Sequence, residues 1–246
     1  MMKTCNEFLL RLHAWSTKSR LRAPLRWLIE VLVSALVFVK SKSLGIRFPE
    51  RSAGGWRWKV FYNWEWLTGT YEYETRAICN RLIRPGMCVV DGGAHIGYFT
   101  RLYSKLVGNH GRVYAFEASS ENYSLLKTNT SELSNVTSYR LGVSDRNGNE
   151  TLHFGKGHST HSFSGNYQST GESEPVSIVR LDNFVLDNEV GQIDFVKLDV
   201  EGSEVLVLRG MANIFQSGSK PVILLEFNRT ALLSGGFEPE QLIKEL

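Results

Sequence analysis

Carboxylate residues recur at the ends of short apolar runs in the second two-thirds of the chain. In chain order they are Asp91, Glu117, Asp199 with Glu201, and Glu226. Each follows a run of the kind that forms a buried strand, where a carboxylate is poorly solvated unless a ligand or partner compensates its charge. The carboxyl ends of parallel strands meet at one edge of a sheet, where α/β folds bind ligands. We therefore expect these side chains to line one binding site.

The first of these runs continues into a glycine-rich turn, DGGAHIG at 91–97. Glycines in such a turn let the backbone approach a cofactor closely. Two patterns fit. GxAxxG from Gly92 is a loose dinucleotide fingerprint, with Glu117 at the spacing of a ribose-binding acid, whereas DxGxxxG from Asp91 is a methyltransferase loop. Asp91 would repel a pyrophosphate but attract the sulfonium and ammonium of S-adenosylmethionine. The turn therefore favours S-adenosylmethionine, and an NAD-dependent oxidoreductase is the alternative.

The elements that position these residues alternate between apolar runs and helical stretches. The apolar runs predict strands at 87–90, 113–116, 136–143, 193–200 and 222–227, with extra strands at 151–154 and 176–179. Helical spacing predicts helices at 97–107, 120–133, 181–186, 202–216 and 238–246. Apolar strands that alternate with helices indicate an α/β fold with a mostly parallel sheet and helices on both faces. The Gly, Ser, Thr and His-rich stretch at 155–174 predicts an exposed loop.

The first 68 residues differ chemically from the rest. Residues 1–60 carry 12 Lys and Arg against three Asp and Glu, and all six tryptophans lie within the first 66 residues. The apolar run at 31–39 is shorter than the roughly 20 residues that span a bilayer, and no signal-peptide cleavage site follows it. We expect a helical arm that packs on the body. The alternative is an interfacial helix at 21–39 that makes peripheral contact with an anionic membrane, and the aromatic residues also suit an acceptor such as a sugar.

The composition argues against several other classes of protein. The three cysteines include no C-x-x-C pair, which argues against a disulfide framework or a zinc site and predicts a cytoplasmic protein. The sequence lacks the Asn-Pro-Pro-Tyr type of motif used on flipped bases and carries no RNA-binding signature. We therefore expect no nucleic-acid partner.

Several segments of the body resemble the FkbM-type S-adenosylmethionine-dependent methyltransferases. In the family's order they are VVDGGAHIGYFTRLYSKLVG, GRVYAFEASSENYSLLKTN, LGVSDRNGNETLHF, VSIVRLDNF, IDFVKLDVEGSEVLVLRG and PVILLEF. The resemblance begins near Gly69, so we expect an arm at 1–68 and a methyltransferase domain at 69–246. It implies a class I, Rossmann-like methyltransferase fold and O-methylation of a hydroxyl on a sugar, glycolipid or natural product.

The resemblance also implies roles for individual residues. It places Asp199 and Glu201 beside the sulfonium, where the acceptor enters. The cofactor-binding residues that it implies in the glycine turn are Asp91, Gly93, Ala94 and Gly97. It also implies that Glu117 binds the ribose and that Ala118, Val143 and Ser144 lie near the adenine. Glu72 belongs to a short motif that precedes the glycine turn and is implied to contact the cofactor as well.

A hydroxyl acceptor benefits from a general base within hydrogen-bonding reach. Asp199 and Glu201 are the candidate catalytic residues, and the alternative for them is to orient the cofactor ammonium or to cap the next helix. Asp199, Glu226 and Asn228 are weaker candidates for binding Mg²⁺, because carboxylate and amide oxygens suit that ion.

The sequence ends at Leu246, inside the helix predicted after the fifth core strand. A complete fold of this class has two further strands, so we expect the C-terminal edge strands to be missing. A second hypothesis is therefore a truncated module that binds a cofactor or a partner without turnover.

Overall fold

The structure is a computed structural model. It describes residues 71–156, 160–218 and 220–246, together with Ala35, Val39, Ser41, Lys42, 46–48 and 65–67. Apart from Ala35 and Val39, the predicted interfacial helix lies outside the described residues. None of the helices that are described is long and apolar enough to cross a membrane. The chain divides into two compact units, one made of 1–47 and 54–73 and the other of 48–53 and 74–246.

From residue 73 onward the described chain contains eight strands and eight helices. The strands are β1 (Cys88–Gly92), β2 (Arg112–Phe116), β3 (Val136–Tyr139), β4 (Gly142–Ser144), β5 (Gly148–Gly155), β6 (Ser169–Arg180), β7 (Phe195–Leu198) and β8 (Val222–Leu225). The helices are α1 (Tyr73–Leu82), α2 (Tyr98–Val107), α3 (Ser120–Asn129), α4 (Leu181–Asp187), α5 (Glu204–Arg209), α6 (Ala212–Gln216), α7 (Arg229–Ser234) and α8 (Pro239–Lys244).

Five parallel strands form the central sheet in the order β3-β2-β1-β7-β8. The chain builds outward from β1 to β3 on one side and then crosses over to β7 and β8 on the other. The carboxyl ends of β1 and β7 therefore meet where the strand order reverses, which is the ligand-binding position of an open α/β sheet. Asp91 of β1 lies in register with Ala115 of β2 and Lys197 of β7.

Helices cover both faces of this sheet, as the alternating pattern predicts. On one face Tyr103 of α2 packs against Phe195, with ring centroids 5.9 Å apart. On the other face Phe184 of α4 packs edge-on against Phe116 at 4.8 Å. The strands are short. The three inner strands are largely buried, including all four residues of β7, whereas the edge strands β3 and β8 contain no fully buried residue. The predicted mostly parallel α/β fold is confirmed.

The predicted single strand at 136–143 is wrong. It divides into β3, which stays with β2, and β4, which joins β5 and β6 in a separate three-stranded sheet. Gly142 begins β4 so close to the Phe163 ring that a Cβ there would lie 2.4 Å from the ring. Val143 and Ser144 consequently lie in the second sheet and not at the carboxyl end of the third core strand, which is Tyr139.

The stretch predicted as an exposed loop is also more ordered than expected. Within 155–174, β6 begins at Ser169, and Ser162 and Tyr167 are buried at 2% and 4% exposure. Short polar residues favour loops, but the pattern does not show that two of these side chains turn inward onto the core. The described residues 160–168, which precede β6, are therefore partly packed onto the core.

The helix predicted at 202–216 is two helices, α5 and α6. The break occurs at Gly210, which lies so near the Ser144 carbonyl that a Cβ would be 2.1 Å from its oxygen. The buried Asp182 carboxylate then accepts hydrogen bonds from the backbone N–H groups of Asn213 and Ile214 at the start of α6. After β8 the described residues form α7 and α8 and no further strand.

Candidate functional site

The turn after β1 is held by its own backbone and by α2. Asp91 is fully buried and accepts a 2.6 Å hydrogen bond from the Thr100 hydroxyl of α2. Gly93 and Gly97 have φ values of 76° and 93°, in the left-handed region that favours glycine. A Cβ on Gly93 would lie 1.8 Å from the carbonyl oxygen of Asp199. The turn therefore lies directly against the residue that follows β7.

Glu117 follows β2 and is fixed by two backbone donors. Its Oε2 accepts from the His95 N–H at 2.7 Å, and its Oε1 accepts from the Ser119 N–H at 2.9 Å. Burial raises the pKa of Glu117 to about 7, against the opposing effect of these two hydrogen bonds. Each carboxylate oxygen retains a further lone pair for a ligand hydroxyl. Ala118 lies between Glu117 and Ser119 in the chain and is half-buried.

Three carboxylates meet beyond the ends of β7 and β8. Asp199, Glu201 and Glu226 each place an oxygen within 4.8 Å of the oxygens of the other two. The Lys197 ammonium donates to Asp199 Oδ2 at 2.8 Å. Burial raises the pKa of Asp199, but this ammonium and a hydrogen bond with the Glu226 carboxyl together outweigh burial and hold the pKa below its usual value. Burial raises the pKa of Glu201 to about 8, and the charge of Asp199 adds to the shift.

Glu201 is the most enclosed member of this acidic cluster. Its residue is 8% exposed, and its buried Oε2 has no hydrogen-bond partner among the residues that the structure describes. The Glu201 carbonyl accepts a 2.7 Å hydrogen bond from the Ser162 hydroxyl. The nearby Tyr167 hydroxyl accepts from the Asn228 amide at 2.9 Å. The segment 160–168 is thus tied to the acidic cluster through Ser162 and to Asn228 through Tyr167.

Sequence reasoning missed Lys197, Ser162 and Tyr167. A signal exists for Lys197, because a lysine inside the apolar run IDFVKLDV must find a charged partner when that run is buried. No comparable signal marks Ser162 or Tyr167, since their burial follows from how residues 160–168 pack onto the core.

Several predicted site residues are placed differently from the rest. Val143 remains close to the turn, with Cγ2 3.4 Å from the position of a Cβ on Gly92. Glu72 belongs to the other unit of the chain, so its cofactor contact stays a prediction. Asn228 caps α7 by accepting from the Ala231 N–H. The three carboxylates that could hold a metal ion are those of Asp199, Glu201 and Glu226, and a role for Asn228 as a ligand stays a prediction.

Solved structures similar to this chain include a fibrillarin and a methyltransferase. Aeropyrum pernix fibrillarin, solved with natively bound S-adenosyl-L-methionine, has a TM-score of 0.43 and 14% identity, over 70% of this chain and 64% of that one. A SAM-dependent methyltransferase from Aquifex aeolicus has a TM-score of 0.32 and 18% identity, over 65% of each chain. The chain thus spans less than two thirds of either protein, and similarity this low carries no inference about substrate. No curated protein matches the chain.

A family model described as the methyltransferase FkbM domain matches residues 91–246. The match begins at Asp91, the residue that opens the glycine turn, and includes Glu117 and all three residues of the acidic cluster. It covers more than half of the chain, and S-adenosylmethionine is the cofactor of such enzymes. The chain is therefore an S-adenosylmethionine-dependent methyltransferase and belongs to the FkbM methyltransferase family.

Proposed function

We propose that the chain transfers the methyl group of S-adenosylmethionine to a hydroxyl oxygen of a small-molecule or glycan acceptor. The observation that carries this proposal is the buried Glu201 carboxylate, whose Oε2 has no hydrogen-bond partner within the described part of the chain. A hydroxyl acceptor needs a group that takes its proton, and a carboxylate oxygen that is not already hydrogen-bonded can do so.

The chemistry of the neighbouring residues fits the cofactor. Glu117 offers two anchored carboxylate oxygens for the two ribose hydroxyls, and Ala118 lies next to it on the side proposed for the adenine. The glycine turn leaves room for the backbone to approach the methionine part. Asp91 and Asp199 supply negative charge near the ammonium and sulfonium. Bound S-adenosylmethionine supplies a methyl group that is already activated for in-line displacement.

The residues of the acidic cluster have distinct roles in the proposed transfer. The acceptor oxygen forms a bond to the methyl carbon while the carbon–sulfur bond breaks, and Glu201 takes the proton that the hydroxyl loses. Lys197 keeps Asp199 ionised and oriented through the 2.8 Å hydrogen bond. The tie from Ser162 to the Glu201 carbonyl positions the base. Alignment and exclusion of water complete the catalysis.

The test is a methyl-transfer assay of the full chain against a panel of glycans, glycolipids and hydroxylated natural products. Glu201→Gln removes the proton acceptor, so we expect the turnover rate to fall at least about 100-fold while affinity for S-adenosylhomocysteine stays the same. Glu240→Gln, which makes the same charge change on α8, is the matched control. The proposal is wrong if Glu201→Gln retains the wild-type rate, or if no hydroxylated acceptor is methylated although S-adenosylhomocysteine binds. The latter result would instead support the module without turnover.

A further inference from the structure

We propose that Asp199, Glu201 and Glu226 bind one divalent cation of the Mg²⁺ class. Asp199 and Glu226 each follow one of two adjacent parallel strands, which are paired in register through Leu198 and Leu225. The three ligand oxygens already lie within 4.8 Å of one another. Oxygens on opposite sides of a Mg²⁺ ion, at about 2.1 Å each, are roughly 4.2 Å apart. Small side-chain movements are therefore enough to enclose the ion.

A second observation, independent of this grouping, is the state of Glu201. This residue is more than nine-tenths buried, and within the described chain its Oε2 has no hydrogen-bond partner. The buried carboxylate of Asp182, by contrast, accepts from Arg180 and from two backbone N–H groups. An unsatisfied carboxylate oxygen in a buried site is unfavourable unless a ligand satisfies it. A hard cation is such a ligand.

The charges around the cluster agree with a divalent ion. When the three carboxylates are ionised, the Lys197 ammonium neutralises one of them and leaves two negative charges. Glu204, which is bonded to the backbone N–H groups of Val200 and Gly202, adds further negative potential nearby. The side chain of Asp199 is 29% exposed and Glu226 is exposed, so an ion can enter from solvent.

The ion would also act on the acceptor, a consequence that rests on the proposed function. Mg²⁺ is six-coordinate and keeps several positions for water or substrate oxygens when carboxylates hold it. An acceptor with two neighbouring oxygen atoms, such as a vicinal diol, could then bind through the ion. Glu201 has two carboxylate oxygens, so one can bind the ion while the other takes the proton.

The experiment is a titration of the full, EDTA-treated chain with Mn²⁺ as the probe, followed by electron paramagnetic resonance. We expect one Mn²⁺ per chain, displaced by Mg²⁺. Asp199→Asn and Glu201→Gln should each weaken binding at least tenfold, and Glu240→Gln should leave it unchanged. Lys197→Met removes the competing ammonium and should tighten binding severalfold, which tests the site even if a carboxylate variant fails to fold.

The result that overturns the proposal is the absence of stoichiometric Mn²⁺ binding, or binding that neither Asp199→Asn nor Glu201→Gln weakens. S-adenosylhomocysteine affinity and methyl transfer, both measured in EDTA, separate this failure from that of the proposed function. Transfer that persists in EDTA without Mn²⁺ binding overturns the ion site and leaves the methyl transfer intact. Stoichiometric Mn²⁺ binding without transfer to any hydroxyl supports the ion site and overturns the proposed transfer.

Discussion

The two halves of the sheet's carboxyl edge hold their carboxylates in different ways. On the β1–β2 side, Asp91 and Glu117 accept hydrogen bonds from a threonine hydroxyl and from two backbone N–H groups. On the β7–β8 side, Asp199, Glu201 and Glu226 lie within 4.8 Å of one another around one lysine ammonium. The β1–β2 half therefore holds its carboxylates apart through donors from the chain itself. In the β7–β8 half the carboxylates are crowded together, and burial and mutual proximity raise the pKa of Glu201 to about 8 and that of Glu226 to about 9.

This difference separates positioning from chemistry. Donors supplied by the backbone fix the orientation of Glu117 before any ligand arrives, which is the preorganisation that a cofactor site needs. Crowded carboxylates are costly in the free protein, and the cost falls when a cation or a proton-donating group enters. The β7–β8 side is therefore where the reacting groups and the proposed ion belong.

The largest expected effect comes from the residue that joins the two halves. Gly93→Ala should lower the free energy of unfolding by about 3 kcal/mol or more, because its Cβ would collide with the Asp199 carbonyl at a positive φ. Gly86→Ala has a similar φ of 88° but nothing within 4 Å of the new Cβ, and should cost only about 1 kcal/mol. Urea unfolding of both variants measures the difference. Equal losses would show that the two halves do not press together at this point.

The next prediction tests the β1–β2 half alone. Glu117→Gln puts an amide NH₂ against one of two backbone N–H donors and removes the charge offered to the ribose hydroxyls. We expect the affinity for S-adenosylhomocysteine to fall about 10- to 100-fold, as for lost hydrogen bonds to a charged group. Calorimetry measures it, and Glu121→Gln on α3 is the control with the same charge change. Equal affinities in the two variants would remove Glu117 from the cofactor site.

Binding to this half should also depend on pH. Burial, with a smaller effect from the charge of Asp199, raises the pKa of Glu117 to about 7 from 4.5. An acid whose folded pKa is raised destabilises the fold as pH rises from about 4.5 to about 7. Ligand hydroxyls favour the ionised form, so affinity for S-adenosylhomocysteine should fall by roughly tenfold per pH unit below 7. Binding at pH 6 should release close to one proton, as calorimetry in two buffers with different ionisation enthalpies would show. Retention of that release in Glu117→Gln would assign it to another group.

Much of the β1–β2 half could be predicted from the sequence. The glycine turn and the carboxylates that end each strand are local patterns, and apolar runs between helices define a parallel sheet. The pairing of Glu117 with the His95 N–H could not be predicted, because it depends on where the turn after β1 lies relative to the end of β2. That position is set by packing.

The β7–β8 half was harder to predict because its contacts are long-range. Ser162 reaches Glu201 across 39 residues, and Tyr167 reaches Asn228 across 61. The polar composition of 155–174 predicts a loop on local grounds, and only the tertiary fold turns part of it inward. The division of 136–143 into β3 and β4 has the same origin, since β3 pairs with β2 whereas β4 pairs with the distant β6.

The smallest expected effect tests whether the long-range hydrogen bond from Ser162 to Glu201 supports the β7–β8 half. Ser162→Ala removes the 2.7 Å hydrogen bond to the Glu201 carbonyl and leaves this buried acceptor without the hydroxyl. We expect a loss of about 1 kcal/mol in unfolding free energy and a few-fold lower rate of methyl transfer, with S-adenosylhomocysteine affinity unchanged. Ser177→Ala is the control, because its hydroxyl makes a 3.1 Å hydrogen bond on the surface. Since the Ser162 hydroxyl donates to the backbone carbonyl of Glu201, a lower transfer rate at constant cofactor affinity would show that this half depends on position as well as charge. A rate equal to that of Ser177→Ala would show that the acidic cluster is held by β7 and β8 alone.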